Sequence, residues 1–345
     1  MKRVGYLYEK MLSPENWSKA IKGAIRNKKS LFSVKRFLDK GEGYAEQLRQ
    51  DILNGSFKFL GYNTKKIYEP KERTLYIARL EERFFHWACM LMIEPIFEPT
   101  FHYHSYSCRK GKGQHKASLA CAEAVRKYKY VLDIDAAKFY PSIPHDRLKL
   151  DLAKKIKDKK FLEDALYRII DSHHTPGRKG YGVPIGNYSS QIFGNIYMTK
   201  LDNFCNNLEG AKRVLRYCDN SLIFFNDKEL AKKAKKQVQD FYRDVLDMRM
   251  SKCELYPTTQ GVDFVGYRHF RDTVLVRKRT AKRIDRRMRK LPKMLETGRI
   301  GYKEAMGKVA SAIGWTKHAH SKRFVERIGL YGLLEGIKNE LKQSA

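Results

Sequence analysis

The chain has 345 residues, 42% of them apolar, and carries 70 Lys and Arg against 38 Asp and Glu, a formal charge of +32. That apolar share supports a packed core and excludes disorder as the default, and no run approaches the roughly 20 apolar residues needed to cross a bilayer. So basic a chain attracts polyanions, and nucleic acid is the expected partner rather than a membrane, because the 21 Tyr and 18 Phe are spread along the sequence instead of gathered on one lipid-facing helix.

Through Tyr128, short amphipathic helices ("NWSKAIKGAI", "YAEQLRQDIL") alternate with strand-like runs ("GYNTKKIYEP", "RTLYIARL"). The opening "MKRVGYLYEKML" lacks a secretory apolar core, so a cytoplasmic location is expected. "KYKYVLDIDAAKFYPSI" reads as a strand ending in acidic residues, and Asp146 to about Ser172 as helix with a break midway. A Gly- and Pro-rich loop, "HTPGRKGYGVPIGN", leads into the helix "SSQIFGNIYMTKLDNF". In "RVLRYCDNSLIFFND" two apolar runs flank Asp219–Asn220, a hairpin signature, since both residues tolerate the positive φ of a tight turn.

A basic helix follows from Glu229 to about Asp247, and "GVDFVGYRHF" gives one more short strand. From about Val276 the tail is helical. Ala281, Ile284, Met288 and Leu291 form its apolar stripe, while Arg277, Lys278, Arg279, Lys282, Arg283, Arg286 and Arg287 cover the rest. So much like charge on one helix costs stability unless an anion neutralises it, which points to a face that tracks phosphates. The predicted fold class is α+β, an antiparallel sheet with a separate helical tail. Six scattered cysteines without a C-x-x-C pair indicate neither a zinc knuckle nor a disulfide framework, and His102, His104, His173 and His174 lack partners at metal spacing.

Asp133 and Asp135 on one apolar strand, and Asp219 in the hairpin, stand where a carboxylate is unfavourable without compensation; a divalent cation provides it. In nucleotidyl transfer two Mg²⁺ about 4 Å apart activate the attacking hydroxyl and stabilise the leaving pyrophosphate. A strand bearing Asp135 beside a hairpin tip bearing Asp219 would supply the required carboxylates.

Taken together, "SYSCRKGKGQHKA", "DIDAAKFYPSI", "GVPIGNYSSQIFGNIYMTKLD", "RYCDNS", "MRMSKCELYP", "VDFVGY" and "SAIGWTKHAHS" stand in an order that resembles a bacterial reverse transcriptase over nearly the whole chain. The resemblance implies a right-hand polymerase: fingers over residues 1–128, palm over 129–270 with a helical insertion at about 146–180, and a helical thumb over 271–345. It implies that Asp135 and Asp219, with Ala136 and Asn220 beside them, bind two Mg²⁺, with Mn²⁺ as a substitute. Tyr140, five positions after Asp135, would be the steric gate against a 2′-hydroxyl. Arg109 would clasp the incoming triphosphate, with Lys110 and Lys112 as auxiliary phosphate or template contacts. Lys252 would protonate the leaving pyrophosphate, or be an ordinary surface lysine after a helix, and Phe264, Gly266 and Tyr267 would form the primer grip.

A narrower signature is "IGNYSSQ" at 185–191. An aliphatic residue at Ile185 and Gln at Gln191 resemble the enzymes of diversity-generating retroelements. Where other reverse transcriptases have Gln at the first of these positions, Ile185 offers the incoming nucleotide only apolar contact, so discrimination falls. The resemblance implies error-prone copying of a template-repeat RNA, with mistakes opposite adenines, using dNTPs, a cDNA primer end and a small basic accessory protein. The familiar YxDD hairpin here reads Tyr217-Cys218-Asp219-Asn220. Asn ligates Mg²⁺ through its carbonyl but adds no negative charge, so Asn220→Asp is expected to raise primer extension where metal coordination is limiting. The alternatives are another bacterial reverse transcriptase (retron, group II intron or phage defence) or a catalytically impaired RNA-binding scaffold.

Overall fold

The computed structural model describes residues 3–68 and 72–343. Four helices open the chain: α1 (Leu7–Met11), α2 (Pro14–Ile25), α3 (Phe32–Asp39) and α4 (Gly41–Leu53). The Ser13 side chain caps α2 by accepting from the Asn16 N–H at 3.2 Å, with Pro14 in the first turn. The hairpin β1 (Tyr62–Ile67) and β2 (Arg73–Ala78) follows; Glu69 and Pro70, the end of the strand-like run read above, lie outside the described residues. Then comes α5 (Leu80–Phe97), buried along Phe84, Phe85, Ala88, Cys89, Met90 and Ile93. The sequence pattern did not single it out because it is apolar on nearly every side and shows no amphipathic period.

Helix α6 (Gln114–Lys127) leads into β3 (Tyr130–Ala136), one of the two inner strands of a four-stranded antiparallel sheet. After α7 (Phe139–Ser142) and α8 (His145–Ala153), the break read midway through this segment is present. Beyond it a π-helical turn (Phe161–Tyr167) joins α9 (Arg168–Asp171). Helix α10 (Tyr188–Asn206) then precedes β4 (Arg213–Tyr217) and β5 (Asn220–Phe225), and α11 (Lys228–Asp244) precedes β6 (Met250–Pro257). The strand order is β4-β5-β3-β6. Lys252 therefore sits on a strand, not after a helix, opposite Asp135 in the ladder.

Both faces of this sheet are covered, which is why its strands read as near-continuous apolar runs. Leu132, Ile134, Val214, Ile223 and Phe225 join a large core that draws on residues from Leu7 to Met248, including α5, α10 and α11. Val131, Leu215, Leu222 and Phe224 pack beneath Ala117, Ala120, Cys121 and Ala124 of α6. By strand alternation Asp133 and Asp135 point to this second face.

"GVDFVGYRHF" is two strands rather than one: β7 (Val262–Phe264) and β8 (Tyr267–His269) turn through Val265 (φ 43°) and Gly266 (φ 87°), and β9 (Val274–Val276) completes the sheet. A Val at positive φ gives no turn signal in the sequence. The C-terminal helices are α12 (Lys278–Glu296), α13 (Tyr302–Thr316), α14 (Lys322–Arg327) and α15 (Leu330–Gln343). They share their own core around Ile284, Met288, Leu291, Val309, Ile313 and Leu330. Ala281 of the predicted stripe is only part-buried, and Thr280 takes the buried place.

Candidate active site

The hairpin between β4 and β5 turns one residue earlier than its sequence suggests. Tyr217 pairs with Asn220, so Cys218 and Asp219 form the turn, and Cys218 (φ 57°) takes the left-handed conformation usually left to glycine. That strained turn is held from inside. Arg216, fully buried, donates from Nη1 to the Cys218 carbonyl at 3.0 Å and to Asn195 Oδ1 at 3.1 Å. Its Nε and Nη2 bond both oxygens of buried Asp202 on α10, at 2.7 and 2.8 Å. Asn195 donates onward to the Ser107 carbonyl at 2.9 Å, and the Ser107 hydroxyl lies 2.8 Å from Cys218 Sγ. The sequence reading missed this network; its one signal was an Arg in an otherwise apolar strand.

So supported, Asp219 in the turn comes close enough to Asp135 at the end of β3 for the two carboxyls to act on each other. Burial first, then the charge of Asp135, pushes the Asp219 carboxyl up to about 7. A carboxyl pair in mutual conflict is a donor set suited to a hard divalent cation, which would remove the repulsion. At the end of β3 the ladder with β6 shifts register between Asp135 and Ala136. There the Ser251 hydroxyl lies 3.3 and 3.4 Å from the Asp135 and Ala136 carbonyl oxygens. Among the described residues no group of three His, Cys, Asp or Glu side chains converges, so the site offers two carboxylates and leaves the remaining positions to carbonyls and substrate oxygens.

Asp133 and Asn220 are turned toward each other. Asp133 has no exposed surface; its Oδ2 accepts from the Lys252 ammonium and from Tyr256 at 3.2 Å, and its Oδ1 from the Asn220 amide at 3.3 Å. Burial raises the Asp133 carboxyl's pKa against these donors. Burial works to lower the Lys252 ammonium's, but the bond and charge of Asp133 outweigh it and raise it.

Tyr140 packs on α10 at Gly194, where a Cβ would meet the Phe139 and Tyr140 rings at 3.1 Å. Burial raises the Tyr140 phenol's pKa, and the Cys218, Cys108 and Asp219 groups add to it. Ile185 is half-buried; its carbonyl accepts from the Tyr76 N–H at 2.9 Å. Asn187 reinforces that tie, donating to the Tyr76 carbonyl at 2.7 Å and accepting from the Ala78 N–H at 3.3 Å. The β1–β2 hairpin, with exposed Lys65 and Arg73, is thereby fastened to the loop of Ile185. Gln191 is exposed on the first turn of α10.

Other predicted positions lie elsewhere. Arg109 is spent inside the protein: it pairs with Glu98 at 2.8 Å and donates to the His102 and Ser105 carbonyls at 2.7 and 2.9 Å, leaving the side chain 7% exposed. In this arrangement the guanidinium faces protein oxygens, whereas the sequence reading expected it to face a triphosphate. Lys110 is exposed, whereas Lys112 caps the Tyr103 carbonyl at 2.7 Å and lies over that ring. Phe264 and Tyr267 are buried, so their side chains form a joint: Tyr267 donates to the Trp315 carbonyl at 3.0 Å, and a Cβ at Gly266 would strike the Trp315 ring at 2.6 Å. On α12, Lys278, Arg279, Lys282, Arg283, Arg286 and Arg287 are exposed; Arg277, just before it, lies 3.6 Å from Asp263.

A helix-flanked antiparallel sheet presenting one carboxyl at a hairpin tip and another at the end of the adjacent strand describes a nucleic-acid polymerase fold. Residues 65–269 match the reverse transcriptase (RNA-dependent DNA polymerase) family, and the chain belongs to that family. It is similar to the COX1/OXI3 intron 2 protein of Saccharomyces cerevisiae, 28% identical over 173 residues, 48% of this chain and 20% of that one. Protein YkfC of Escherichia coli is 27% identical over 193 residues, 51% and 49% of the two chains. The group II intron-encoded protein LtrA of Lactococcus lactis subsp. cremoris is 24% identical over 212 residues, 57% and 35%. The chain thus matches between a fifth and a half of the length of these curated relatives. Among solved structures, apo telomerase from Candida tropicalis aligns with a TM-score of 0.45 and 14% identity, covering 62% of this chain and 54% of the other. Among the described residues no helix is long and apolar enough to cross a membrane.

Proposed function

We propose that this chain is an RNA-templated DNA polymerase that makes error-prone, adenine-mutagenised cDNA from a template-repeat RNA in a diversity-generating retroelement. The observation that carries the chemistry is the pair of carboxyls, Asp219 in the β4–β5 turn and Asp135 at the end of β3, close enough to act on each other. Asp135 and Asp219, with the Ala136 carbonyl, would hold the divalent cations. Mg²⁺ bound there supplies charge to the attacking 3′-hydroxyl and the leaving pyrophosphate. Tyr140 closes the space a 2′-hydroxyl would occupy and so favours deoxynucleotides. Exposed Lys65 and Arg73, on the hairpin fastened to the Ile185 loop, offer the triphosphate the open cations that the internally bonded Arg109 does not. The strip of cations on α12 follows the backbone of the template–product duplex.

The retroelement assignment rests on Ile185 and Gln191, by their likeness to that group. An apolar side chain where an amide would hold the incoming nucleotide lowers discrimination. A second reading, copying for an intron-like mobile element, is favoured by the matches to intron-encoded proteins. Primer extension on an RNA template in Mg²⁺ and in Mn²⁺, followed by cDNA sequencing, separates the readings. Extension with substitutions concentrated opposite template adenines supports the retroelement enzyme. Evenly spread errors overturn that assignment in favour of the intron-like reading. Binding without extension makes the chain an RNA-binding scaffold.

A further inference from the structure

Besides the part-buried carboxyl pair, the sheet carries a fully buried carboxylate, on the same face of β3 as Asp135. Asp133 stands two residues before Asp135, and its three donors come from two different strands: Asn220 on β5, Lys252 and Tyr256 on β6. The Asn220 contact is made by its N–H, the half of the amide that an Asp lacks. A carboxylate at position 220 would set a negative oxygen where that N–H now lies, 3.3 Å from Asp133 Oδ1. Two carboxylate oxygens at that distance repel each other, and the one ammonium at hand, Lys252, already serves Asp133.

We propose that Asp133 and Asn220 are an exchange pair. The negative charge stands one strand across the sheet from the hairpin, at Asp133 on β3, and the amide at 220 on β5 is its counterpart. In this arrangement Asn220 is a positioning residue rather than a metal ligand. It ties the hairpin tip to β3 through Asp133, which also fixes where the Lys252 ammonium stands beside the reaction centre. The catalytic consequence rests on the polymerase reading; the pairing itself does not.

Three full-length variants test this: Asn220→Asp, Asp133→Asn, and the two together. Each is read by thermal melting, by Mn²⁺ binding followed by electron paramagnetic resonance, and by single-turnover primer extension. Each single change is expected to lower the melting temperature and to slow extension about tenfold or more, while the double variant, which reverses the amide–carboxylate bond, recovers most of both losses. Should a single variant fail to fold, a folded double variant carries the same support. The proposal is overturned if Asn220→Asp alone tightens Mn²⁺ binding and speeds extension without a change in melting, for Asn220 is then a weakened metal ligand. It is equally overturned if the double variant melts no higher than the worse single one. A wild-type chain that extends no template removes the polymerase reading, and the melting and Mn²⁺ comparisons still decide the pairing.

Discussion

Arg216 and Arg109 show how differently a sequence reveals anions and cations. Asp135 and Asp219 were legible because a carboxylate in an apolar strand demands a partner. An Arg carries the same charge wherever it lies, and only the fold tells whether its donors face solvent, a ligand or the protein. Arg216 holds Asp202 with two bonds and the strained Cys218 turn with a third, all out of water. Removing one partner leaves a buried charge uncompensated, so Arg216→Leu is expected to cost about 3–5 kcal/mol in urea unfolding, and the double change Arg216→Leu/Asp202→Leu clearly less. Equal losses in the two variants would show that the ion pair is not the source. Arg109→Ala should lower stability by about 2 kcal/mol through its lost internal bonds yet leave the KM for dNTPs unchanged. A KM that rises with stability intact would return this residue to the triphosphate.

At the scale of elements, periodicity was readable wherever one face meets a core and the other meets water. Helices α2, α4, α11 and α12 appear at or near their predicted places for that reason. Helix α5 is buried along most of its length and has no such contrast; the β7–β8 turn puts Val265 at positive φ before Gly266, and the β4–β5 turn puts Cys218 there, one residue before the Asp219–Asn220 pair that signalled the hairpin. Helix α12 provides the test at this scale. Its cations are exposed, so replacing Lys282, Arg283 and Arg286 together by Ala should leave folding intact. The same triple change should weaken binding to an RNA–DNA duplex and reduce the slope of log K against log salt by about 2–3, if each releases close to one counterion. An unchanged slope in fluorescence anisotropy titrations would remove α12 from the nucleic-acid surface.

For the whole molecule, buried histidines rather than surface charge govern the response to acid. His86 on α5 reaches only the Ser189 hydroxyl at 3.2 Å; His269 on β8 bonds the Ser118 hydroxyl at 2.8 Å and the Val262 carbonyl at 3.1 Å, with Asp263 and Arg277 nearby. Burial pushes them down to about 3 and about 4, and it likewise pushes His104 and His173 to about 4. These groups resist protonation when folded and accept it at about 6.5 when unfolded, so below that pH the unfolded chain binds more protons and stability falls. Each of the two fully buried histidines withdraws on the order of 3 kcal/mol as the pH drops from about 6.5 to about 4. Asp219 acts in the opposite sense: raised to about 7, it takes up a proton in the folded state first and adds stability over the same fall in pH. Asp133 and Glu82, also raised by burial, act in the same sense as Asp219. These carboxyls start from a low ordinary value and do not offset four histidines lying in separate parts of the molecule, so the urea midpoint of the metal-free protein is expected to drop from pH 7 to pH 5. His86→Leu should flatten that profile, because it removes one titration without leaving a buried charge. A midpoint that holds or rises across the interval would mean that these histidines gain access to water in the folded state.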